Sequence, residues 1–282
     1  MNDNLDTIIR AMSGTYGRDL SCYDETFLGK SLKKRMVATS IATITGYRDY
    51  LLEHADEAEE FSHCLNITYS EFFRDPLTFA LLEQFILPRL ISEKNEAGTG
   101  TSEIRVGSAG CAAGQETYSV AILLDELLAT HKKSLSFRIF ATDISEKCLA
   151  AASRGVYDSA AVQNVRLKHL TRCFESRNGT YNVARRLKDR IEFSIYDLLE
   201  EHSTSPPGSI YGDFDLVLCS NLLFYYNPAI QQHITNKVCH ALSGGGYLVT
   251  GEAERAIVDR AHIFQPVSRL AAVYRKMKKK GD

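Results

Sequence analysis

The sequence predicts an α/β protein: a mostly parallel sheet with helices on both faces, preceded by an all-helical region and carrying a small β insertion. Three observations predict it. Strand and helix patterns alternate from residue 103 onward, and apolar residues recur at helical spacing through the first quarter. An Asn-Gly pair at 178–179 divides a short stretch that reads as a hairpin.

Taken in order, residues 5–65 show two apolar stripes at helical spacing. One is formed by Phe27, Leu28, Leu32 and Met36, the other by Tyr47, Tyr50, Leu51 and Leu52. Pro76 after Asp75 marks a helix start, 77–91 continues as a helix interrupted near Pro88, and 92–102 is a polar linker containing glycine. Next come a strand at 103–108, a helix at 115–130, a strand at 136–142 and a helix at 145–153 capped by Ser145. Residues 214–219 read as a strand, 228–242 as a helix closed by Gly244-Gly245-Gly246, and 247–250 and 271–275 as the last strands. The predicted division is a helical domain over 1–70, a connecting helix and linker over 71–102, and an α/β domain over 103–282 with its insertion at about 173–190.

Composition narrows the function. The 282 residues are 44% hydrophobic and 24% charged, an ordinary globular mixture. Lys and Arg total 33 against 35 Asp and Glu, so there is no electrostatic case for non-specific nucleic-acid binding. The single Pro-Pro pair, Pro206-Pro207, lacks the preceding amide or acid and the following aromatic of a flipped-base pocket. Seven cysteines without a CxxC pair fit a reducing cytoplasm, and neither a signal peptide nor a run of roughly 18 apolar residues is present. The expectation is a cytoplasmic protein without membrane insertion, a monomer as far as the sequence demands. Eight scattered histidines form no zinc pattern, so no metal is expected.

The strand-to-helix turn at 107–119, GSAGCAAGQETYS, is where a ligand of an open α/β sheet would lie. Its glycines, Gly107, Gly110 and Gly114, match neither GxGxxG nor GxxxxGK[ST], and the missing lysine argues against a nucleoside triphosphate. The turn suits backbone passing close to a ligand, with helix amides for a carboxylate and Glu116 to accept from an ammonium or hydroxyl. One strand later Asp143 stands where an acid accepts ribose hydroxyls. Together they suggest an adenosyl cofactor.

Four stretches stand out: Thr68 to Pro76 (TYSEFFRDP), Ser108 to Ser119 (SAGCAAGQETYS), Ala141 to Ile144 (ATDI) and Phe214 to Tyr226 (FDLVLCSNLLFYY). In them the sequence resembles the chemotaxis receptor methyltransferases, the CheR family. The resemblance implies a Rossmann-like S-adenosylmethionine-dependent methyltransferase sheet behind an N-terminal helical substrate-recognition domain. It implies methyl transfer from S-adenosylmethionine to glutamates of a chemoreceptor cytoplasmic domain, leaving S-adenosylhomocysteine. By the same resemblance, cofactor contacts fall on Thr68, Ser70, Arg74, Gly110, Glu116, Asp143, Asp197, Leu198, Ser220 and Asn221, and Arg74 and Tyr225 become the catalytic candidates. This chain departs from the family with Ser220 for Arg and with Glu252-Ala253-Glu254 for His-Ser-Glu, removing one cation and adding one anion.

A glutamate nucleophile, with a pKa of about 4.3, is already ionised at neutral pH, so alignment and desolvation are required and a general base is not. Lys30, Lys33 and Lys34 share one helical face with Arg35 beside them, opposite the Phe27 stripe, which is expected to pack on the cofactor domain. The resemblance makes these four cations a docking face for an acidic receptor helix. In some family members the β insertion grips a receptor C-terminal peptide by strand addition, and a purely structural hairpin reads equally well here. Two alternatives stay open: a non-catalytic S-adenosylmethionine-binding scaffold, and a methyltransferase with another protein or a small molecule as acceptor.

Overall fold

The computed structural model describes residues 3–66, 68–96, 103–129, 135–200, 206, 208–209 and 212–277. The glycine-containing end of the predicted linker, 97–102, and the last lysines of the C-terminal tail lie outside the described residues. The chain packs as two units, Met1–Ile67 with Leu223–Gln232, and Thr68–Leu222 with His233–Asp282.

The first unit contains α1 (Asp3–Tyr16), α2 (Glu25–Ala38), α3 (Ile44–Glu53) and α4 (Ala55–Leu65). Asp24 caps α2 by accepting the N–H of Thr26 and Phe27, and Thr43 caps α3 by accepting from Gly46. The apolar stripes bury into this unit's own core: Leu28 and Leu32 of α2 join Ile8, Met12, Tyr47 and Phe61, with Phe27 and Met36 packed against them. The stripe's place is therefore in the helical core, whatever else it meets. Residues 223–232 are part of the same unit. The Tyr225 ring centroid lies 4.8 Å from that of Phe27, Tyr226 stacks on Tyr23 at 5.5 Å, and the Asp24 N–H donates to the Tyr225 carbonyl at 2.8 Å.

A buried polar group crosses this core. Arg35 donates from Nε to Glu57 Oε1 at 2.9 Å and from Nη2 to Oε2 at 2.6 Å, and the Tyr47 hydroxyl donates to Oε1 at 2.5 Å. Glu57 is only 5% exposed. Burial alone would raise its pKa, but the bonds from Arg35 and Tyr47 prevail and hold the carboxyl below the usual carboxylate range.

The second unit opens with α5 (Pro76–Leu81), a π-helical turn (Leu82–Ile86) and α6 (Leu87–Glu96), which run on as one rod. Pro88 does not break it. Its missing N–H leaves a gap in the ladder, and the chain absorbs the irregularity one turn earlier, where Leu87 N–H reaches back five residues to the Leu82 carbonyl.

The main sheet follows: β1 (Glu103–Ala109), α7 (Gln115–Ala129), β2 (Ser136–Asp143) and α8 (Glu146–Arg154). The insertion contributes β3 (Val156–Asp158), α9 (Leu167–Cys173), β4 (Phe174–Arg177), β5 (Thr180–Val183) and α10 (Arg185–Lys188). Then come β6 (Ile191–Ile195), β7 (Phe214–Leu218), α11 (Pro228–Ala241), β8 (Leu242–Val249), α12 (Arg255–Ala261), β9 (Phe264–Pro266) and β10 (Val273–Lys276). The order is β6-β2-β1-β7-β8-β10-β9, parallel from β6 to β8, with β10 antiparallel to both neighbours. Chain direction across the sheet reverses between β1 and β7, which makes their carboxyl ends the switch point. Residues Thr117 to Leu124 of α7 are all buried, so this helix is the spine of the unit.

Two expectations change here. The insertion is a three-stranded sheet, β3-β5-β4, and its predicted hairpin turns through Asn178 and Gly179 at φ 51° and 77°. The glycines at 244–246 do not end a helix; α11 stops at Ala241 and they lie inside β8. A Cβ on Gly246 would come within 2.9 Å of the Phe214 carbonyl, and the β7–β8 register slips at that point, so glycine admits a close backbone approach. Among the described residues no helix is long and apolar enough to cross a membrane.

Candidate cofactor site

The parallel strands bring the ends of β1, β2, β6, β7 and β8 to one edge of the sheet. After β1 the chain enters left-handed backbone at Gly110 (φ 66°), Ala112 (48°) and Gly114 (89°) before α7 begins. Gly114 has no room for a side chain, since a Cβ would sit 2.9 Å from that of Ala152. Asp143, at the end of β2, secures this loop: Oδ2 accepts the Ala112 N–H at 2.9 Å and Oδ1 accepts the Ser145 N–H at 2.9 Å. Each oxygen keeps a lone pair, as a ribose diol requires. From the insertion, the Tyr157 hydroxyl donates to the Ala113 carbonyl at 2.7 Å.

The segment from Thr68 to Asp75 lies against the start of α7. Phe72 is buried edge-on to Tyr157 and Phe174, and the Phe73 N–H donates to Ser119 Oγ at 3.0 Å. Thr68 is exposed and Ser70 half-buried. The exposed Arg74 places its guanidinium 5.2 Å from the Tyr69 ring, whose hydroxyl is bonded to Glu71.

At the end of β7, Ser220 precedes Asn221, which is left-handed at φ 59°. Facing them is Glu116 in the first turn of α7. Burial pushes its carboxyl up to about 7; the Ser220 hydroxyl draws it down, Glu254 raises it, and Arg74 lowers it. Gln115 Oε1 and Thr250 Oγ1, both at this edge, are buried without a hydrogen-bond partner. Such orphaned polar atoms beside a glycine loop and two acids fit the polar periphery of S-adenosylmethionine. After β6, Asp197 accepts the Leu199 N–H at 2.8 Å, and Leu198 lines a small pocket with Gly107, Phe140, Thr142 and Tyr196.

The four loops Gly110–Glu116, Asp143, Asp197-Leu198 and Ser220-Asn221 thus share one edge, and Arg74 lies within electrostatic reach of Glu116. Tyr225 packs in the first unit. Lys30, Lys33 and Lys34 are exposed on α2 without an ion pair among the described residues. Arg35 does not belong with them, because its guanidinium is held by Glu57. The anion added at Glu252 is neutralised locally by Arg255 at 3.1 Å. Glu254, to which the sequence assigns no role, holds the Ser220–Leu222 turn with its buried carboxylate; the spacing Gly251-x-x-Glu254 is that of a capping acid three residues into a helix.

Sheet order and loop chemistry define a Rossmann-like S-adenosylmethionine methyltransferase domain. Residues 68–272 match the CheR methyltransferase SAM binding domain and 3–66 the CheR methyltransferase all-alpha domain. The chain belongs to the CheR methyltransferase family. It is 33% identical to a chemotaxis protein methyltransferase of Pseudomonas aeruginosa over 65% of this chain and 64% of that one. With a chemotaxis protein methyltransferase of Listeria monocytogenes it shares 27% identity over 88% of each. It also aligns, at 28% identity and over 81% of its length, with 23% of an uncharacterized 104.1 kDa protein of Rhodobacter capsulatus. The chain therefore spans less than two thirds of two of these three relatives. A Rickettsia typhi structure solved with S-adenosylhomocysteine aligns at 12% identity and a TM-score of 0.32, over 53% of this chain and 21% of that one. So loose a superposition carries no argument.

Proposed function

We propose that this chain transfers the methyl group of S-adenosylmethionine to glutamate side chains of a chemoreceptor cytoplasmic domain, forming methyl esters in chemotaxis adaptation. The observation that carries the reading is the pairing of Asp143 with the glycine loop, opposite Glu116 and Ser220, at the switch point of a CheR-family sheet. When bound, the cofactor supplies an electrophilic methyl on a sulfonium. Asp143 accepts the ribose hydroxyls, and Glu116 accepts from the ammonium. Thr68, Ser70 and Gly110 complete the cofactor's polar shell with Ser220 and Asn221, and Asp197 and Leu198 flank the base.

The acceptor carboxylate arrives ionised, so no residue need remove a proton. Arg74 holds a carboxylate, that of the cofactor or of the acceptor, and the Tyr225 hydroxyl orients the acceptor oxygen. Alignment and exclusion of water can supply about 7 to 11 kcal/mol of the barrier. Lys30, Lys33 and Lys34 present free cations to the acidic receptor helix, and their exposure supports that role.

The test is methylation of a receptor cytoplasmic domain with radiolabelled S-adenosylmethionine, scored as methanol released by alkali. Alkali-labile label supports the ester. Ser220 in place of the family's arginine favours a second reading, a non-catalytic scaffold; cofactor binding without transfer to any receptor domain tried would select it.

A further inference from the structure

Glu254 is completely buried where the turns after β7 and β8 meet. Its Oε2 accepts the N–H of Asn221 at 2.8 Å and of Gly251 at 2.7 Å, and its Oε1 accepts the N–H of Leu222 at 2.7 Å. Burying a carboxylate is unfavourable unless its lone pairs are satisfied, and three charge-assisted bonds from backbone amides achieve that. All three amides belong to the turns at the carboxyl edge. Capping the short helical turn at 252–254 would need only the Gly251 amide; the two bonds to Asn221 and Leu222 reach across to another strand.

Those two bonds fix an unusual piece of backbone. Asn221 is left-handed at φ 59°, a conformation that asparagine tolerates better than most non-glycine residues and that these bonds hold in place. Its side chain lies so close to Gly251 that a Cβ on the glycine would come within 2.2 Å of Asn221 Nδ2. Glu254 therefore locks Asn221 from the backbone side while Gly251 makes room for its amide.

We propose that Glu254 is a positioning residue for the cofactor: its carboxylate fastens the Ser220–Leu222 turn to the Gly251 turn, holding Ser220 and Asn221 in the backbone arrangement that receives S-adenosylmethionine. The inference rests on reading this edge as the cofactor site. Glu254 also acts on Glu116 through space. The other groups acting on Glu116 are Ser220 and Arg74, and the buried thiols of Cys111 and Cys219 lie within its field. Removing the negative charge at 254 relieves a like-charge repulsion and lets Glu116 ionise at lower pH, whereas loss of the Ser220 bond alone would shift it the other way.

The experiment is calorimetric titration of S-adenosylhomocysteine into the full chain between about pH 5.5 and 7.5, a window below the ligand's own amine titration, for the wild type, Glu254→Gln and Gly251→Ala. Expected for folded Glu254→Gln is about tenfold weaker binding with the pH midpoint of affinity lowered by about half a unit. Gly251→Ala keeps the carboxylate but strikes the Asn221 amide, and it too should lose about tenfold, with the midpoint unmoved. Wild-type affinity in Glu254→Gln overturns the proposal, as does weakened binding with an unmoved midpoint, which would leave Glu254 a purely structural cap. Should Glu254→Gln not fold, Gly251→Ala decides, and wild-type affinity there overturns the proposal. A wild-type protein that binds no S-adenosylhomocysteine overturns instead the cofactor reading on which the inference rests.

Discussion

The carboxylate of Asp143 accepts the backbone N–H of Ala112 at 2.9 Å, joining the acid at the end of β2 to the glycine loop after β1. One side chain thus shapes the loop and faces the expected ribose. Asp143→Ala should weaken cofactor binding by about 1 to 3 kcal/mol for the lost hydroxyl bonds. Calorimetry with S-adenosylhomocysteine checks this, and undiminished affinity would remove the ribose assignment.

Glu116 titrates near neutrality because burial and Glu254 favour its protonated form. A protonated carboxyl cannot accept from an ammonium as strongly as a carboxylate, so affinity should fall about tenfold per unit as pH drops below about 7. In the ligand-free protein the sign is opposite. The folded state holds a proton that the unfolded state releases near 4.5, so this group's contribution to stability declines as pH rises from 4.5 to about 7. Glu116→Gln should abolish both dependences, read by titration and by thermal melting across that range.

Reversing Lys33 and Lys34 to glutamate should slow methylation of the receptor domain while leaving cofactor affinity intact. The defect should shrink with salt, because exposed charges are screened over about 8 to 10 Å at ordinary ionic strength. Initial rates at two salt concentrations test it; wild-type rates at low salt would move the docking face elsewhere.

Arg35 belongs to a different experiment. Breaking its pair with Glu57, 5% exposed, by Glu57→Gln should cost the helical unit about 1 to 3 kcal/mol, less than a fully buried pair, because the half-buried Arg35 keeps Glu60 at 3.6 Å. The lowered Glu57 value means its contribution is present above the unfolded pKa of 4.5 and is lost as pH falls through the folded value below it. Acid unfolding of wild type and variant should converge there.

The parts of the site that were legible in the sequence are those where backbone geometry restricts residue choice. Gly110 and Gly114 stand at positive φ, and Asp143 ends a strand with a regular apolar pattern. What escaped depends on contacts distant in sequence. Helical spacing set Arg35 beside Lys34, but its partner lies 22 residues away on α4. β6 is a half-buried edge strand without clean alternation, and β9 has three residues, too few to show a period. The glycines at 244–246 read as a stop, yet they lie inside β8, where Gly246 admits close approach of the Phe214 carbonyl. Spacing from Gly251 marks Glu254 as no more than a cap, because two of its three amides belong to a turn more than 30 residues earlier.

The most direct test of the whole account is mass spectrometry of a receptor cytoplasmic domain after incubation with this protein and S-adenosylmethionine. Methyl groups on glutamate side chains, lost on alkaline treatment and reduced with Asp143→Ala at limiting cofactor, are the predicted result. Receptor domains that remain unmodified by a protein that binds the cofactor would contradict it.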